Sequence, residues 1–262
     1  MFTYEFLPSE RAVPTVVLLP GLFAGGWIWD ETVARLRARE VGIVRIHEPL
    51  GSLEKVIPLE TLRDAVASVV GELELSDVVI CGNSLGGLVA LDFARTFPEK
   101  TSAIVVSGAP GLGDDVNLGV GTPRQLTREF AYTVAAQLFY DPSFVTDEMV
   151  DRAFEVVSDR RVAVNILRAL RAARQYDVAL VLPEVTCPVL LVWGEHDRVT
   201  PAAPWRAALP AFKRAIFRAL PSSGHAPMLE RATLFNNELI EFLESVFAER
   251  LGAAPRPSVL TT

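Results

Sequence analysis

The chain has 262 residues, of which 50% are hydrophobic and 22% are charged, and it carries a formal net charge of −7. This length and composition are typical of one large domain, or two smaller ones, around a substantial hydrophobic core. No run of Lys or Arg marks a surface for nucleic acid or anionic lipid, and no apolar run is long enough to span a membrane, so the sequence predicts neither kind of partner.

Apolar, β-branched runs alternate with helical patterns along most of the chain. The predicted strands cover residues 13–19, 41–46, 77–81, 103–107, 189–193 and 214–220. The predicted helices, in which apolar residues recur at intervals of three and four, cover residues 27–40, 59–75, 85–97, 125–139, 146–157 and 230–249. Strands that are apolar almost throughout indicate an α/β fold, with a mostly parallel sheet covered by helices on both faces.

The alternation breaks once, between residues 112 and 180, where only helical patterns occur. We predict a helical cap, or lid, over residues 112–180, inserted between late strands of a core domain made of residues 1–111 and 181–251. The remaining residues, 252–262, are rich in Pro and Ala and are expected to be disordered.

Residues 80–87 read I-C-G-N-S-L-G-G, so Ser84 lies between Gly82 and Gly86. The motif follows a predicted strand and opens a predicted helix, which is the setting of a nucleophile elbow, a tight turn with a strained serine at its tip. The glycines fit this interpretation, because a side chain at either position would collide across the turn or with a neighbouring strand. The alternative is that Ser84 only caps the helix, but a cap needs no flanking glycines. We therefore predict that Ser84 is a nucleophile.

A serine hydroxyl needs a general base, and the chain has three histidines, His47, His196 and His225. In proteins with a nucleophile elbow, the serine, the acid and the histidine follow one another in that order along the chain. His225 fits this order and follows three small residues, S-S-G, in a predicted loop, so we expect it to be the base. His196 is interpreted as an outward-facing turn residue, and His47 as a surface histidine or part of the pocket mouth.

The acid that orients the histidine is expected at the end of a strand upstream of His225. Asp197 follows the strand-like run V-L-L-V-W and is the preferred candidate. The alternatives are Glu195, two residues earlier, and Asp114 or Asp115, which follow an earlier predicted strand.

Two backbone N–H groups are expected to stabilise the negative charge that develops on the substrate oxygen. The first belongs to Leu85, directly after the predicted nucleophile, and the second to the Gly-rich loop of residues 19–30. Leu22 is the preferred second donor and Phe23 is the alternative. Trp29 is expected to pack under the sheet. The residues expected to line a substrate pocket are Phe23, Trp27, Asn83, Phe139 and Met228.

Three segments in this order, G-N-S-L-G-G, W-G-E-H-D-R-V-T-P and S-G-H-A-P-M-L-E, resemble the α/β-hydrolase superfamily with a helical cap. The resemblance covers about residues 10–250. It implies the α/β-hydrolase fold, a triad of Ser84, Asp197 and His225, the two leucine N–H groups named above as oxyanion donors, and no cofactor or metal. A serine nucleophile excludes the relatives that use an aspartate there, the haloalkane dehalogenases and epoxide hydrolases.

Two positions depart from the pattern of that superfamily. Many members have His-Gly where this chain has Pro20-Gly21, and that histidine organises the oxyanion loop. Asn83, in place of the commoner histidine, resembles hydrolases that cleave carbon–carbon bonds in ring-fission products of aromatic degradation. Those enzymes have a small, Gly- and Ser-rich oxyanion segment and a Trp after the catalytic histidine, whereas this chain has a bulky L-F pair and Ala226.

The favoured hypothesis is a serine hydrolase that cleaves a carboxylic ester, lactone or thioester of a small, largely apolar molecule through an acyl-enzyme. One alternative, motivated by Asn83, is a carbon–carbon bond hydrolase of aromatic ring-fission products. Another is non-hydrolytic use of the pocket, by a biosynthetic cyclase or lyase or by a ligand receptor, because a fold does not fix a function. The oligomeric state is not predicted.

Side chains of the predicted cap are expected to decide the substrate. Some of its aromatic residues should face the pocket and most should belong to the core: Phe130, Tyr132, Phe139, Tyr140, Phe144 and Phe154. Four arginines are candidates for binding a substrate carboxylate, although a solvated helix face explains most of them: Arg124, Arg168, Arg171 and Arg174.

The two cysteines, Cys81 and Cys187, are too few for a disulfide framework and adjoin apolar runs, so we expect buried free thiols. Such thiols fit a reducing compartment. The first residues include acidic side chains and lack an apolar segment of signal-peptide length. These features predict a cytoplasmic protein.

Overall fold

The computed structural model describes residues 2–52, 59–113 and 127–250. Its strands are β1 (Tyr4–Leu7), β2 (Thr15–Leu19), β3 (Ile43–Ile46), β4 (Val78–Asn83), β5 (Thr101–Ser107), β6 (Val189–Gly194) and β7 (Ala215–Leu220). Within these residues they form one sheet in the order β1-β3-β2-β4-β5-β6-β7. Strand β1 is antiparallel to β3, and the other neighbours are parallel. The mostly parallel sheet predicted from the sequence is confirmed.

The edge strand β1 was not among the predicted strands. It pairs with β3, from Tyr4 opposite Ile46 to Leu7 opposite Ile43, and all four of its residues are only half-buried. Prediction relied on continuous apolar runs, which occur where a strand is covered on both faces. A short strand at the rim of the sheet lacks that signal.

Helices flank both faces of the sheet. They are α1 (Asp30–Arg37), α2 (Leu59–Glu72), α3 (Leu85–Thr96), α4 (Arg128–Gln137), α5 (Asp147–Ser158), α6 (Arg160–Gln175), α7 (Val178–Val181), α8 (Ala202–Ala207), α9 (Pro227–Glu230) and α10 (Ala232–Arg250). The predicted helix 27–40 is divided, because Gly26–Trp29 forms a 3-10 turn before α1. The carboxylate of Asp159 caps α6, accepting the N–H groups of Arg161 and Val162, and so separates α6 from α5.

Alternate residues of each strand point to opposite faces, so the sheet contributes to two hydrophobic cores. On one face, Val17 and Leu19 of β2 pack with buried residues of α2 and α3. On the other face, Val16 and Leu18 pack with buried residues of α1 and α10, including Trp29 just before α1. Strands β4, β6 and β7 run in the same direction, so the loops that follow them lie at the same edge of the sheet. This edge is the usual place for a ligand site in such folds.

Helices α4 to α7 lie between β5 and β6 along the chain, where the sequence predicted a helical cap. The cap and its domain boundaries stay predictions. Residues 114–126, which include the predicted start of a helix at Gln125, lie outside the described residues, as does the tail predicted to be disordered, 252–262. Among the residues described, no helix has both the length and the apolar character needed to cross a bilayer.

Candidate active site

Ser84 lies at the turn between β4 and α3 in a strained conformation, with φ 56° and ψ −124°. Such a positive φ is rare outside glycine and costs free energy that the surrounding structure must offset. The backbone approaches closely here, because a Cβ on Gly82 would lie 2.1 Å from the Gly86 oxygen, and one on Gly86 would lie 2.5 Å from the Pro20 oxygen. The collision expected from the sequence is therefore confirmed for both glycines.

The hydroxyl of Ser84 is not used to cap the helix that follows it. Ser84 occupies the N-cap position of α3, but within the described part of the chain its side chain makes no capping hydrogen bond. Its backbone N–H donates to the Ser107 oxygen at 2.8 Å, which fixes the turn to β5. The alternative that Ser84 serves only as a helix cap therefore lacks support. Its side chain lines the pocket described below.

The predicted oxyanion donors belong to the residue after Ser84 and to the loop that follows β2. Leu85 is the first residue of α3, so its N–H has no partner within the helix and lies at the positive end of the helix dipole. The Gly21 backbone lies close to the turn that carries Ser84, since a Cβ on Gly21 would lie 3.2 Å from the Ser84 Cβ. Leu22 and Phe23 both follow Gly21 and line the same pocket as Ser84, so both alternatives for the second donor stay open.

His225 and Asp197 form a buried pair. The imidazole Nδ1 lies 2.9 Å from Asp197 Oδ2, and the two residues are 4% and 6% exposed. The second oxygen of Asp197 accepts the N–H groups of Val199 and Thr200, each at 2.9 Å, which fixes the carboxylate after β6. Of the alternatives to Asp197 as the acid, Glu195 is exposed, and Asp114 and Asp115 lie outside the described residues.

Thr200 joins this pair, and the sequence reasoning missed it. Its hydroxyl oxygen lies 2.9 Å from Asp197 Oδ2, 3.1 Å from His225 Nδ1 and 3.0 Å from the Gly108 oxygen. A hydroxyl has one proton to donate and can accept as well, so it can share the Nδ1 proton with the carboxylate. The sequence signal was the D-R-V-T spacing, at which an aspartate caps the backbone of a following turn.

Asn83, the residue that departs from the superfamily pattern, is tied to the predicted base. Its side-chain Nδ2 donates to the backbone oxygen of His225 at 3.1 Å and to that of Ser107 at 3.3 Å. The amide therefore connects the end of β4 to β5 and to residues 221–226 between β7 and α9, which we call the histidine loop. This contact gives Asn83 a structural reason that is independent of which substrate bond is cleaved.

A cavity of about 690 Å³, counting its open mouth, lies over Ser84 and His225. Four of the five predicted lining residues border it: Phe23, Trp27, Asn83 and Phe139. The lining residues that prediction missed are Gly21, Leu22, Ala24, Ile28, Val134, Ala135, Leu138, Met149, Ala153, Ala226 and Leu229. Those from α4 and α5 are spaced by one or four residues, a helical pattern that could have revealed them.

Met228 does not line the cavity. It is fully buried in the core that holds Trp29 and Phe235, whereas its neighbour Leu229 borders the cavity. Successive helical residues point about 100° apart, so the rotation of the short helix α9 decides which of the two faces the cavity. Trp29 itself packs against Phe235, with ring centroids 5.9 Å apart, under the sheet as expected.

Most of the other cap and histidine candidates lie away from the cavity. Among the predicted cap aromatics, Phe139 lines it, while Tyr132 and Tyr140 are exposed. Arg168, Arg171 and Arg174 are exposed on α6, and Arg124 lies outside the described residues. His47 and His196 are exposed, and the ring of His196 stacks on Tyr140 with centroids 4.3 Å apart.

Both cysteines are buried free thiols, as expected from the sequence. Burial raises the pKa of the Cys187 thiol to about 12, and burial also raises the pKa of Cys81. Thiols in this state hold their protons at neutral pH and are poor nucleophiles. The nucleophilic candidate at the cavity is therefore the serine.

The chain is similar to known proteins over most of its length. Residues 16–238 match the model of the alpha/beta hydrolase family. The chain is 28% identical, over 71% of its own residues, to the dihydrolipoyllysine-residue acetyltransferase component of the acetoin cleaving system of Pseudomonas putida, but it spans only half of that protein's length.

Two further likenesses extend over nearly the whole chain. It is 27% identical to the 2-hydroxy-6-oxononadienedioate/2-hydroxy-6-oxononatrienedioate hydrolase of Cupriavidus pinatubonensis, over 87% of this chain and 86% of that protein. A thermophilic esterase from Thermogutta terrifontis superposes with a TM-score of 0.77 at 19% identity, covering 94% of each chain. At that identity the second likeness shows a shared fold alone.

Proposed function

The chain belongs to the alpha/beta hydrolase family, and we propose that it is a serine hydrolase that cleaves the carboxylic ester, lactone or thioester of a small, largely apolar molecule. One observation carries the proposal. Ser84, on a strained turn, lines the same cavity as His225, whose Nδ1 is 2.9 Å from the buried Asp197. A nucleophile, a base and a group that orients the base are the parts that acyl transfer needs.

In the proposed reaction, Nε2 of His225 removes the Ser84 proton as the serine oxygen attacks the substrate carbonyl. Asp197 holds the imidazole by Nδ1 and stabilises the imidazolium. The N–H of Leu85, with that of Leu22 or Phe23, binds the oxyanion. The imidazolium then protonates the leaving alcohol or thiol, and a water molecule, activated by the same histidine, hydrolyses the acyl-enzyme.

The cavity lining favours an uncharged substrate. Its described residues are apolar apart from Asn83, Ser84 and His225, and they include the large side chains of Trp27 and Phe139. Burying an apolar group there is favourable by about 25 cal/mol per Å² of apolar surface, whereas burying an unpaired carboxylate is costly. We therefore propose an apolar acyl or alcohol group as the part of the substrate that fills the cavity.

A second candidate is a carbon–carbon bond hydrolase. It is supported by the likeness to the dienedioate hydrolase of C. pinatubonensis, which extends over 87% of this chain. The substrate named for that relative is a dioate, with two carboxylates, and the apolar lining described here disfavours such a molecule. For this reason we place ester-type hydrolysis first.

The proposal is tested with p-nitrophenyl butyrate and a fluorophosphonate probe. We expect Ser84→Ala to lower turnover at least about a thousandfold and to abolish labelling. We expect Asp197→Asn to lower kcat on the order of 10⁴-fold. The controls Ser68→Ala, on the exposed surface of α2, and Glu195→Gln should match the wild type.

Three outcomes would overturn the proposal. Undiminished turnover in Ser84→Ala would exclude this serine as the nucleophile. A wild-type protein that cleaves ring-fission dienoates but no ester would establish the second candidate instead. A protein that binds a small apolar molecule without probe labelling would indicate use of the pocket without acyl transfer.

A further inference from the structure

Glu230, the last residue of α9, carries a carboxylate in the interior and is only 3% exposed. Its Oε2 accepts the N–H of Gly224 at 2.7 Å and that of Tyr140 at 3.1 Å, and its Oε1 accepts the N–H of Asp141 at 2.8 Å. Burying a carboxylate is costly unless hydrogen bonds satisfy it, and bonds to an ionised acceptor are the strong ones. Such a group holds its three partners firmly.

Those partners belong to two distant segments of the chain. Gly224 directly precedes His225, the proposed base. Tyr140 and Asp141 belong to residues 138–141, which we call the clamp segment and which follows α4. The clamp segment also holds the histidine loop directly, since the Leu138 oxygen accepts the N–H groups of His225 at 2.8 Å and Ala226 at 3.3 Å.

The histidine loop has little room to move between its neighbours. A Cβ on Gly224 would lie 2.7 Å from the Leu138 oxygen, so the clamp segment touches the loop backbone. The Ser223 oxygen also accepts the N–H of His196 at 2.9 Å, and His196 stacks on Tyr140 of the clamp segment. Because the two segments are in contact, a displacement of the clamp segment would also shift the His225 backbone.

The clamp segment also forms part of the cavity wall. Leu138 and Phe139 line the cavity beside Ser84 and His225. A substrate group that fills the cavity thus presses on the residues that hold the proposed base in place.

We propose that Glu230 is a positioning residue, which fixes the imidazole of His225 against Ser84 by joining the histidine loop to the clamp segment. The inference rests on the proposed serine hydrolase function. It makes Glu230 important for the chemical step without direct contact to the substrate, because its carboxylate contacts backbone N–H groups of residues outside the cavity lining. Occupancy of the cavity then stabilises the position of the base through Leu138 and Phe139.

The first test is Glu230→Gln, assayed with p-nitrophenyl butyrate. The amide keeps one acceptor oxygen and turns an NH₂ group toward a backbone N–H, so at least one of the three bonds is lost. We expect kcat to fall on the order of 10–100-fold with KM within about twofold, since misplacing a catalytic group by about 1 Å has this effect. The rate of fluorophosphonate labelling should fall in parallel. The control Glu238→Gln, which removes a half-exposed partner of Arg218, should leave kcat unchanged.

A second test needs no variant and so does not depend on folding of Glu230→Gln. The wild-type enzyme is labelled with a long-chain alkyl fluorophosphonate that fills the cavity or with a short one that does not reach Leu138. We expect hydrogen exchange at the amides of Gly224, Tyr140 and Asp141 to slow about tenfold or more with the long chain only.

The outcomes separate the two proposals. An inactive Ser84→Ala together with a wild-type kcat for Glu230→Gln overturns the role of Glu230 and leaves the serine hydrolase proposal standing. An active Ser84→Ala overturns the function itself. A rise in KM at unchanged kcat in Glu230→Gln, or equal exchange rates with the two probes, also contradicts the positioning role.

Discussion

The side-chain amide of Asn83 donates to the backbone oxygen of His225 at 3.1 Å, so the residue before the proposed nucleophile holds the residue proposed as its base. Asn83 is 5% exposed, and its second bond reaches Ser107 on β5. A single neutral side chain, next to Ser84 in the chain, thereby helps to fix the position of His225 relative to Ser84. A residue that looked like a marker of substrate chemistry is, in this fold, part of the support of the histidine loop.

Asn83→Ala is predicted to lower stability and turnover together. The His225 oxygen loses its donor in the interior, which costs about 1–3 kcal/mol of the free energy of unfolding. Because the loss acts through His225, ester cleavage and any cleavage of a ring-fission dienoate should fall by the same factor. Urea unfolding and steady-state kinetics measure both effects, with the exposed Asn237→Ala as the control. A loss confined to dienoate cleavage would show that Asn83 acts on the substrate instead.

Thr200→Val is predicted to be less stable than the wild type, while Thr200→Ser is close to it. Valine has nearly the same shape but lacks the hydroxyl that contacts Asp197 Oδ2, His225 Nδ1 and the Gly108 oxygen. We expect about 1–3 kcal/mol less free energy of unfolding and a lower kcat, with KM little changed. Equal kcat values for the two variants would mean that the hydroxyl has no part in holding the imidazole.

Ala153→Phe is predicted to change which acyl chains the enzyme accepts. Ala153 lines the cavity from α5, one turn after Met149, and a phenylalanine ring there would occupy space that a long chain needs. We expect kcat/KM for p-nitrophenyl hexanoate to fall at least about tenfold while that for the acetate stays within about threefold. Val164→Phe, at an exposed position on α6, is the control. Equal losses for both esters would place the acyl chain elsewhere.

Stability is predicted to decline at alkaline pH through the buried thiols. Burial raises the pKa of Cys187 from 9.0 to about 12, so the native state keeps a proton that the unfolded chain has lost. The contribution is complete below about pH 9 and is lost as the pH rises toward 12, by about 1.4 kcal/mol per pH unit for one thiol.

Cys187→Ala should therefore reduce the pH dependence of the free energy of unfolding between pH 9 and about 10.5 by close to one proton. Urea titrations at several pH values measure the slope, whatever the variant does to stability at neutral pH. The adjacent exposed Thr186→Ala should keep the wild-type slope. An unchanged slope in Cys187→Ala would contradict the prediction.

Features carried by local spacing could be predicted from the sequence. The elbow follows from glycines on both sides of a serine between a strand and a helix, and the parallel sheet follows from continuous apolar strands. Asp197 was favoured because it ends a strand before His225, and the two side chains are now seen 2.9 Å apart. Phe23, Trp27 and Phe139 were expected at a pocket because they are large and apolar near these loops, and they border the cavity.

Features that depend on how distant elements of the chain pack against one another could not be predicted. Met228 and Leu229 are equally apolar, and only the rotation of α9 against the core sends one of them to the cavity. The partners of Glu230 at Tyr140 and Asp141 are some 90 residues earlier in the chain, so no pattern in the sequence connects them. The Gly108 oxygen likewise meets Thr200 only after β5 and β6 pair.

The positive φ of Ser84 has a consequence for engineering this protein. A backbone held in such a conformation costs about 1–3 kcal/mol, and glycine adopts it without that penalty. Laboratory selection for heat resistance alone would thus reward Ser84→Gly, which adopts the strained turn more easily and lacks the proposed nucleophile. A campaign to improve this enzyme has to score turnover in every round.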